Sequence, residues 1–143
     1  RCHADIVRSL QRVGHATGGI VHAFSGSVEE AQRYRQLGLH LGLGGPLTWP
    51  QAARLHRVAR ELPLDAFVLE TDAPDLVPYV HSAQHADGRT RLTGERVRNS
   101  PAFLPSVLTQ FAALRDEPEA VLAAQFFRNT VTALHLQGRV AMT

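Results

Sequence analysis

The chain contains no lysine; all 15 of its basic residues are arginine, in 143 residues. That excludes a P-loop, whose helix-opening lysine reaches the nucleotide phosphates. As a compositional trait it reads as the codon bias of a GC-rich genome and carries no functional weight. The single cysteine, Cys2, excludes an internal disulfide and fits a reducing compartment. No apolar run approaches the roughly 18 residues that span a bilayer. No basic-then-apolar leader precedes a small-residue cleavage site. The expectation is therefore a cytoplasmic protein with no membrane partner. Charge of one sign is scarce too: the formal net charge is +2, which neither demands nor excludes nucleic acid. What is present is 44% hydrophobic residues, enough for one domain with a real core.

Apolar periodicity predicts a helix over 3–14 closed by Gly14, then a buried strand over 19–24. Ser27 and Glu30 form a capping-box pattern that opens a helix running to Leu37, with Gly38 as a left-handed cap. A strand follows over 39–43, then a helix from Pro50 to Leu62 stopped by Pro63, then a strand over 66–71. A polar loop over about 73–100 is too long for a routine connection. Pro101 or Pro105 opens the next helix, and Asp116 with Glu119 caps a last one that Gly138 stops; residues 139–143 read as a loose tail. Strands alternating with helices imply parallel βαβ units, either an open doubly wound sheet or a (β/α)8 barrel. In both, ligands gather at the C-terminal ends of the strands. Arg1 is not an initiator Met, and the stripe of Ile6, Val7, Leu10 and Val13 begins almost at once. A piece of a longer protein is the expectation.

Chemistry concentrates at strand ends. Val68, Glu70 and Asp72 fall on one strand face by alternation. A carboxylate at the tip of a buried strand is costly unless a metal ion, an arginine or a substrate cation meets it. Asp72 is thus a metal ligand or a turn-forming residue before Ala73-Pro74. Glu70 is an arginine-paired structural carboxylate, or else a substrate contact or a support to the ligands, and two carboxylates this close favour a cation between them or a raised pKa on one. His22, between Ile20 and Phe24, is a hydrogen-bonded core histidine or a ligand. Imidazole plus carboxylate suits Zn, Mn, Fe or Mg sites of hydrolases. Gly42, Gly44 and Gly45 leave room beside the middle strand, without Rossmann or P-loop spacing. His40 reads as structural; His3, His15, His56 and His135 read as solvated. The loop bearing Arg89, Arg91, Arg96 and Arg98 against Asp87 and Glu95 is a phosphate-facing lid or a solvated loop, with Asn99 as a further donor. His81 and His85 in that loop are not expected to be ligands.

Several segments, in order, resemble the TatD-type deoxyribonucleases. Residues 19–26 resemble the family's His-x-Phe-Ser-Gly signature, and Gly42-Leu43-Gly44-Gly45-Pro46 resembles the strand that follows. Leu69-Glu70-Thr71-Asp72-Ala73-Pro74 resembles its Glu-Thr-Asp-Ala-Pro signature. Arg98-Asn99-Ser100-Pro101 and Asn129-Thr130 are similar to its later Arg-Asn-x-Pro and Asn-Thr segments. The resemblance implies an α/β fold, an incomplete (β/α)8 TIM barrel of the metal-dependent hydrolase superfamily. Residues 1–143 would be its C-terminal portion. It implies hydrolysis of DNA phosphodiesters, 3′-to-5′ on single strands, with one or two divalent ions (Mg, Mn or Zn), and a monomeric full-length form. His22 and Asp72 would be metal ligands, Asp72 also acting on the water. Glu70, Arg98 and Asn99 would support the site or contact substrate.

The family's His-x-His pair, its mid-chain Glu and a further His have no counterpart here, and a barrel needs about 250 residues. Two ligands are fewer than the three a catalytic site uses, so the 143-residue chain alone is expected to be inactive and poorly stable. A related barrel hydrolase acting on another ester or amide, and a non-enzymatic remnant or interaction module, stand as alternatives. A lysine carbamate ligand is excluded within this chain.

Overall fold

A computed structural model describes residues 2–14, 18–82 and 97–140. Helix α1 (Cys2–Arg12) precedes strand β1 (Gly19–Val21), helix α2 (Val28–Gln36) and strand β2 (Leu39–Leu43). Helix α3 (Ala53–Glu61), strand β3 (Phe67–Leu69) and helices α4 (Leu104–Arg115) and α5 (Glu119–Ala133) complete the order. The strands form one parallel sheet in the order β1-β2-β3, with Ile20 opposite His40 and Gly42 opposite Val68. This is the alternating parallel arrangement expected of a partial barrel.

Helix α2 begins as its sequence dictates. The Ser27 hydroxyl accepts from the Glu30 amide at 3.3 Å, and the Glu30 carboxylate accepts from the Ser27 amide at 2.8 Å. Gly38 takes φ +75° just past the helix end, a conformation in which a Cβ is costly. Other boundaries differ from expectation. Pro50 lies in a turn before α3 rather than at its first position. Both candidate prolines act at the start of α4: Pro101 opens a 3-10 turn that leads into the helix, and Pro105 occupies its first turn. Asp116 caps no helix start; at φ +53° it ends α4, and Pro118 precedes α5. Helix α5 stops at Ala133, with His135 left-handed, so Gly138 closes a later turn. Of the expected loose tail, 141–143 lie outside the described residues.

The outer sheet face carries the core. Leu41, Phe67, Val58, Phe111 and Leu122 are fully buried. Phe111 meets Phe67 and Phe126 edge-to-face, with centroids 5.1 Å and 4.9 Å apart. Arg115, near the end of α4, donates to the carbonyls of Ala59, Arg60 and Leu62 at 2.7–3.1 Å, satisfying the open end of α3. The base of β3 is tied by Asn129, whose side-chain amide donates to Leu64 and Phe67 carbonyls, each at 2.7 Å. Among the described residues no helix is long and apolar enough to cross a membrane.

Candidate metal centre

The two outer strands are shorter than alternation alone predicts. Strand β1 ends at Val21, and His22 and Ala23 form a turn in which Ala23 adopts φ +47°. Phe24 then rejoins the sheet, its amide donating to Gly42 O at 3.1 Å. Strand β3 ends at Leu69, and one further bond, from the Glu70 amide to Leu43 O at 3.1 Å, carries the ladder past it. His22, Glu70 and Asp72 therefore stand just beyond the strands, at the C-terminal rim of a parallel sheet.

The detour at 22–23 and the end of β3 bring these three side chains together. His22 Nδ1 is 3.0 Å from Glu70 Oε1, and His22 Nε2 is 2.8 Å from Asp72 Oδ1. Glu70 Oε1 also accepts from the Ala23 amide at 2.5 Å. The imidazole is two-thirds exposed, whereas both carboxylates are mostly covered. Hydrogen bonding and charge from Glu70, and then charge from Asp72, hold the His22 pKa above its ordinary 6.5. Glycines make the space. A Cβ on Gly42 would overlap the Glu70 carboxylate, one on Gly44 would lie 3.0 Å from Glu70 O, and one on Gly45 would overlap the Leu76 carbonyl. A cavity of about 190 Å³ opens beside Asp72, lined by Ala23, Phe24, Gly42 and Gly44 among others.

Asn99 is buried at 7% exposure. Its side-chain amide donates to Thr71 Oγ1 at 3.2 Å, Asp75 O at 2.7 Å and Leu76 O at 3.3 Å, so it supports the segment that carries Asp72. Thr71 Oγ1 also accepts from the Ala73 amide, which brackets Asp72 from both sides. Arg98 is exposed and borders a separate cavity with Pro74 and Asp75. Arg89, Arg91, Arg96, Asp87, Glu95 and His85 lie outside the described residues. His40 is half-buried, and burial lowers its pKa, consistent with a neutral structural role. His81 stacks on Phe103 and pairs with Ser106, away from the cluster. His56, expected in solvent, instead pairs with the Leu47 carbonyl at 2.9 Å. Sequence reasoning missed the left-handed Ala23, for which no residue type gave a signal, and the Thr71 hydroxyl, which the motif contains.

Within the described residues one group of three metal-binding side chains occurs, His22, Glu70 and Asp72, with a ligand atom of each within 4.8 Å of the others. One imidazole and two carboxylates suit a divalent ion of the Zn, Mn or Mg type. A partial parallel barrel with such a cluster at its C-terminal rim has the donor set and the placement that metal-dependent barrel hydrolases use. The family model "TatD related DNase" matches residues 1–135, and the chain belongs to this family. It is 33% identical over 136 residues to the "Uncharacterized metal-dependent hydrolase YjjV" of Escherichia coli (strain K12), covering 95% of this chain and 48% of that protein. It is 35% identical over 123 residues to the "3'-5' ssDNA/RNA exonuclease TatD" of Pantoea vagans (strain C9-1), covering 83% of this chain and 43% of that one. The crystal structure of the Escherichia coli k12 TatD homolog YjjV superposes with a TM-score of 0.75 at 34% identity, over 93% of this chain and 46% of that one. A TatD-family hydrolase from Entamoeba histolytica shares the fold at 17% identity, with a TM-score of 0.72 over 91% of this chain and 46% of that one. The chain thus spans about half the length of the curated relatives it matches.

Proposed function

We propose that this chain is the C-terminal portion of a metal-dependent nuclease that hydrolyses phosphodiester bonds of DNA, from the 3′ end of single strands. The observation that carries the proposal is the 2.8 Å approach of His22 Nε2 to Asp72 Oδ1 at the strand tips of a TatD-family chain. His22 and Asp72 would hold the ion. A divalent ion held there would supply Lewis acidity toward a water and a phosphoryl oxygen. Asp72 orients the water and takes its proton as the oxygen–phosphorus bond forms. The bond from phosphorus to the leaving oxygen breaks, and solvent protonates that oxygen. Arg98, exposed on the rim, pairs with a phosphate of the strand. The name of the Pantoea vagans relative supports a single-stranded substrate.

Closed and catalytic sites use at least three protein ligands, so the 143 residues alone are inactive on this reading. The test is cleavage of end-labelled single-stranded DNA in Mn²⁺ by the protein as its gene encodes it, beside the 143-residue chain. The gene-encoded protein should shorten the strand from its 3′ end, Asp72→Ala should lose at least about a hundredfold, and the short chain should leave the strand intact. Cleavage indifferent to Asp72→Ala, or no metal-stimulated cleavage by the gene-encoded protein, would overturn the reading.

A further inference from the structure

We propose that Glu70 is a positioning residue rather than a metal ligand: it grips the 22–23 turn and fixes the His22 ring so that Nε2 is the atom presented beside Asp72. This deepens the metal reading above and rests on it.

The two ring nitrogens face two different carboxylates. Nδ1 is 3.0 Å from Glu70 Oε1, and Nε2 is 2.8 Å from Asp72 Oδ1. A neutral imidazole carries one N–H and one lone pair, so a proton held at Nδ1 by Glu70 leaves the lone pair at Nε2. The same Glu70 oxygen accepts the Ala23 amide at 2.5 Å, and so has two donors already. The whole carboxylate lies over Gly42, in space that any side chain there would fill. It is pressed against β2 and tied to the turn after β1. The tie also has local work to do: Ala23 sits at φ +47°, where an L-residue is strained by roughly 1–2 kcal/mol. The Glu70 bond to its amide offsets that strain and keeps His22 above the strand ends. Asp72 differs, because its Oδ1 faces the outward nitrogen of the ring and the carboxylate borders the open cavity. Carboxylates that hold the remote nitrogen of a metal-bound histidine fix its tautomer, and their loss typically costs 10–100-fold in metal affinity.

The experiment compares the protein as its gene encodes it with its Glu70→Gln and Glu70→Ala variants, using Zn²⁺ as the probe and the ¹⁵N shifts of the His22 ring as the readout. The Gln oxygen still accepts from both the ring and the turn, so Glu70→Gln should bind Zn²⁺ within a few-fold of the parent and through Nε2. Glu70→Ala should weaken binding by about 10–100-fold and mix the two tautomers. A directly ligating Glu70 predicts instead that Gln loses as much as Ala, and that result, or Zn²⁺ on Nδ1, overturns the proposal. Should Glu70→Ala fail to fold, the Gln variant alone still separates the two roles. If the parent binds no Zn²⁺ at His22, the metal reading fails on its own. The metal-free tautomer at alkaline pH then decides the positioning role: N–H at Nδ1 in parent and Gln supports it, and N–H at Nε2 overturns it.

Discussion

The two ends of β3 are built in opposite ways. At its base Phe67 is fully buried edge-to-face against Phe111, which in turn meets Phe126, and Asn129 pairs the Phe67 carbonyl. At its tip, three residues on, Glu70 and Asp72 face an imidazole that is largely in solvent, across a turn with a left-handed alanine. Apolar burial and paired amides hold the base, whereas charge and strain collect at the tip. A strand of three residues carries both, so the site is anchored by a core about 10 Å away along the chain. Stability and chemistry should therefore separate along this one strand.

Mutations at the base should test that separation most severely. Phe111→Ala removes a ring with no exposed surface and should cost about 3–5 kcal/mol in urea unfolding, close to the whole stability of a small domain. By contrast, Asp72→Ala should change stability by no more than about 1 kcal/mol while abolishing Zn²⁺ binding measured by calorimetry. Equal losses of stability in the two variants would erase the comparison. Next in size is Asn129→Ala, which strips a partner from the buried Phe67 carbonyl and the part-buried Leu64 carbonyl and should cost about 2–3 kcal/mol. Ala23→Gly relieves the turn and should gain about 1 kcal/mol in the same assay.

The smallest effect is that of pH. Because Glu70 and Asp72 raise the folded pKa of His22 above 6.5, the imidazolium stabilises the metal-free fold most fully below pH 6.5. That contribution fades as pH rises through the folded value, and solvent screening keeps it small at so exposed a ring. Divalent-ion binding should run the other way, strengthening over the same range as Nε2 loses its proton. A Tm of the metal-free chain that climbs with pH above 6.5, while His22→Gln stays flat, would contradict the assignment.

Much of this arrangement was legible in the residues. The order of elements, the bounds of β2 and the box at Ser27 and Glu30 all follow from local rules that tertiary contacts reinforce. So does the meeting of His22 with Asp72, since both lie at the ends of parallel strands. The ends of β1 and β3 were not legible, because a run of apolar residues looks the same whether it continues the ladder or turns out of it. Asp116 misled because an aspartate that favours a helix start also tolerates the left-handed conformation that ends one. The work of Asn99 and Asn129 lay beyond reach as well: each bonds carbonyls more than twenty positions away, and an amide side chain carries no mark of its distant acceptor.

Anomalous diffraction from crystals of the gene-encoded protein soaked in Mn²⁺ tests the central claim most directly. The account predicts a peak coordinated by His22 Nε2 and the Asp72 carboxylate, with Glu70 still bonded to Nδ1. A peak held by other residues, with the His22–Asp72 pair left bare, would contradict it.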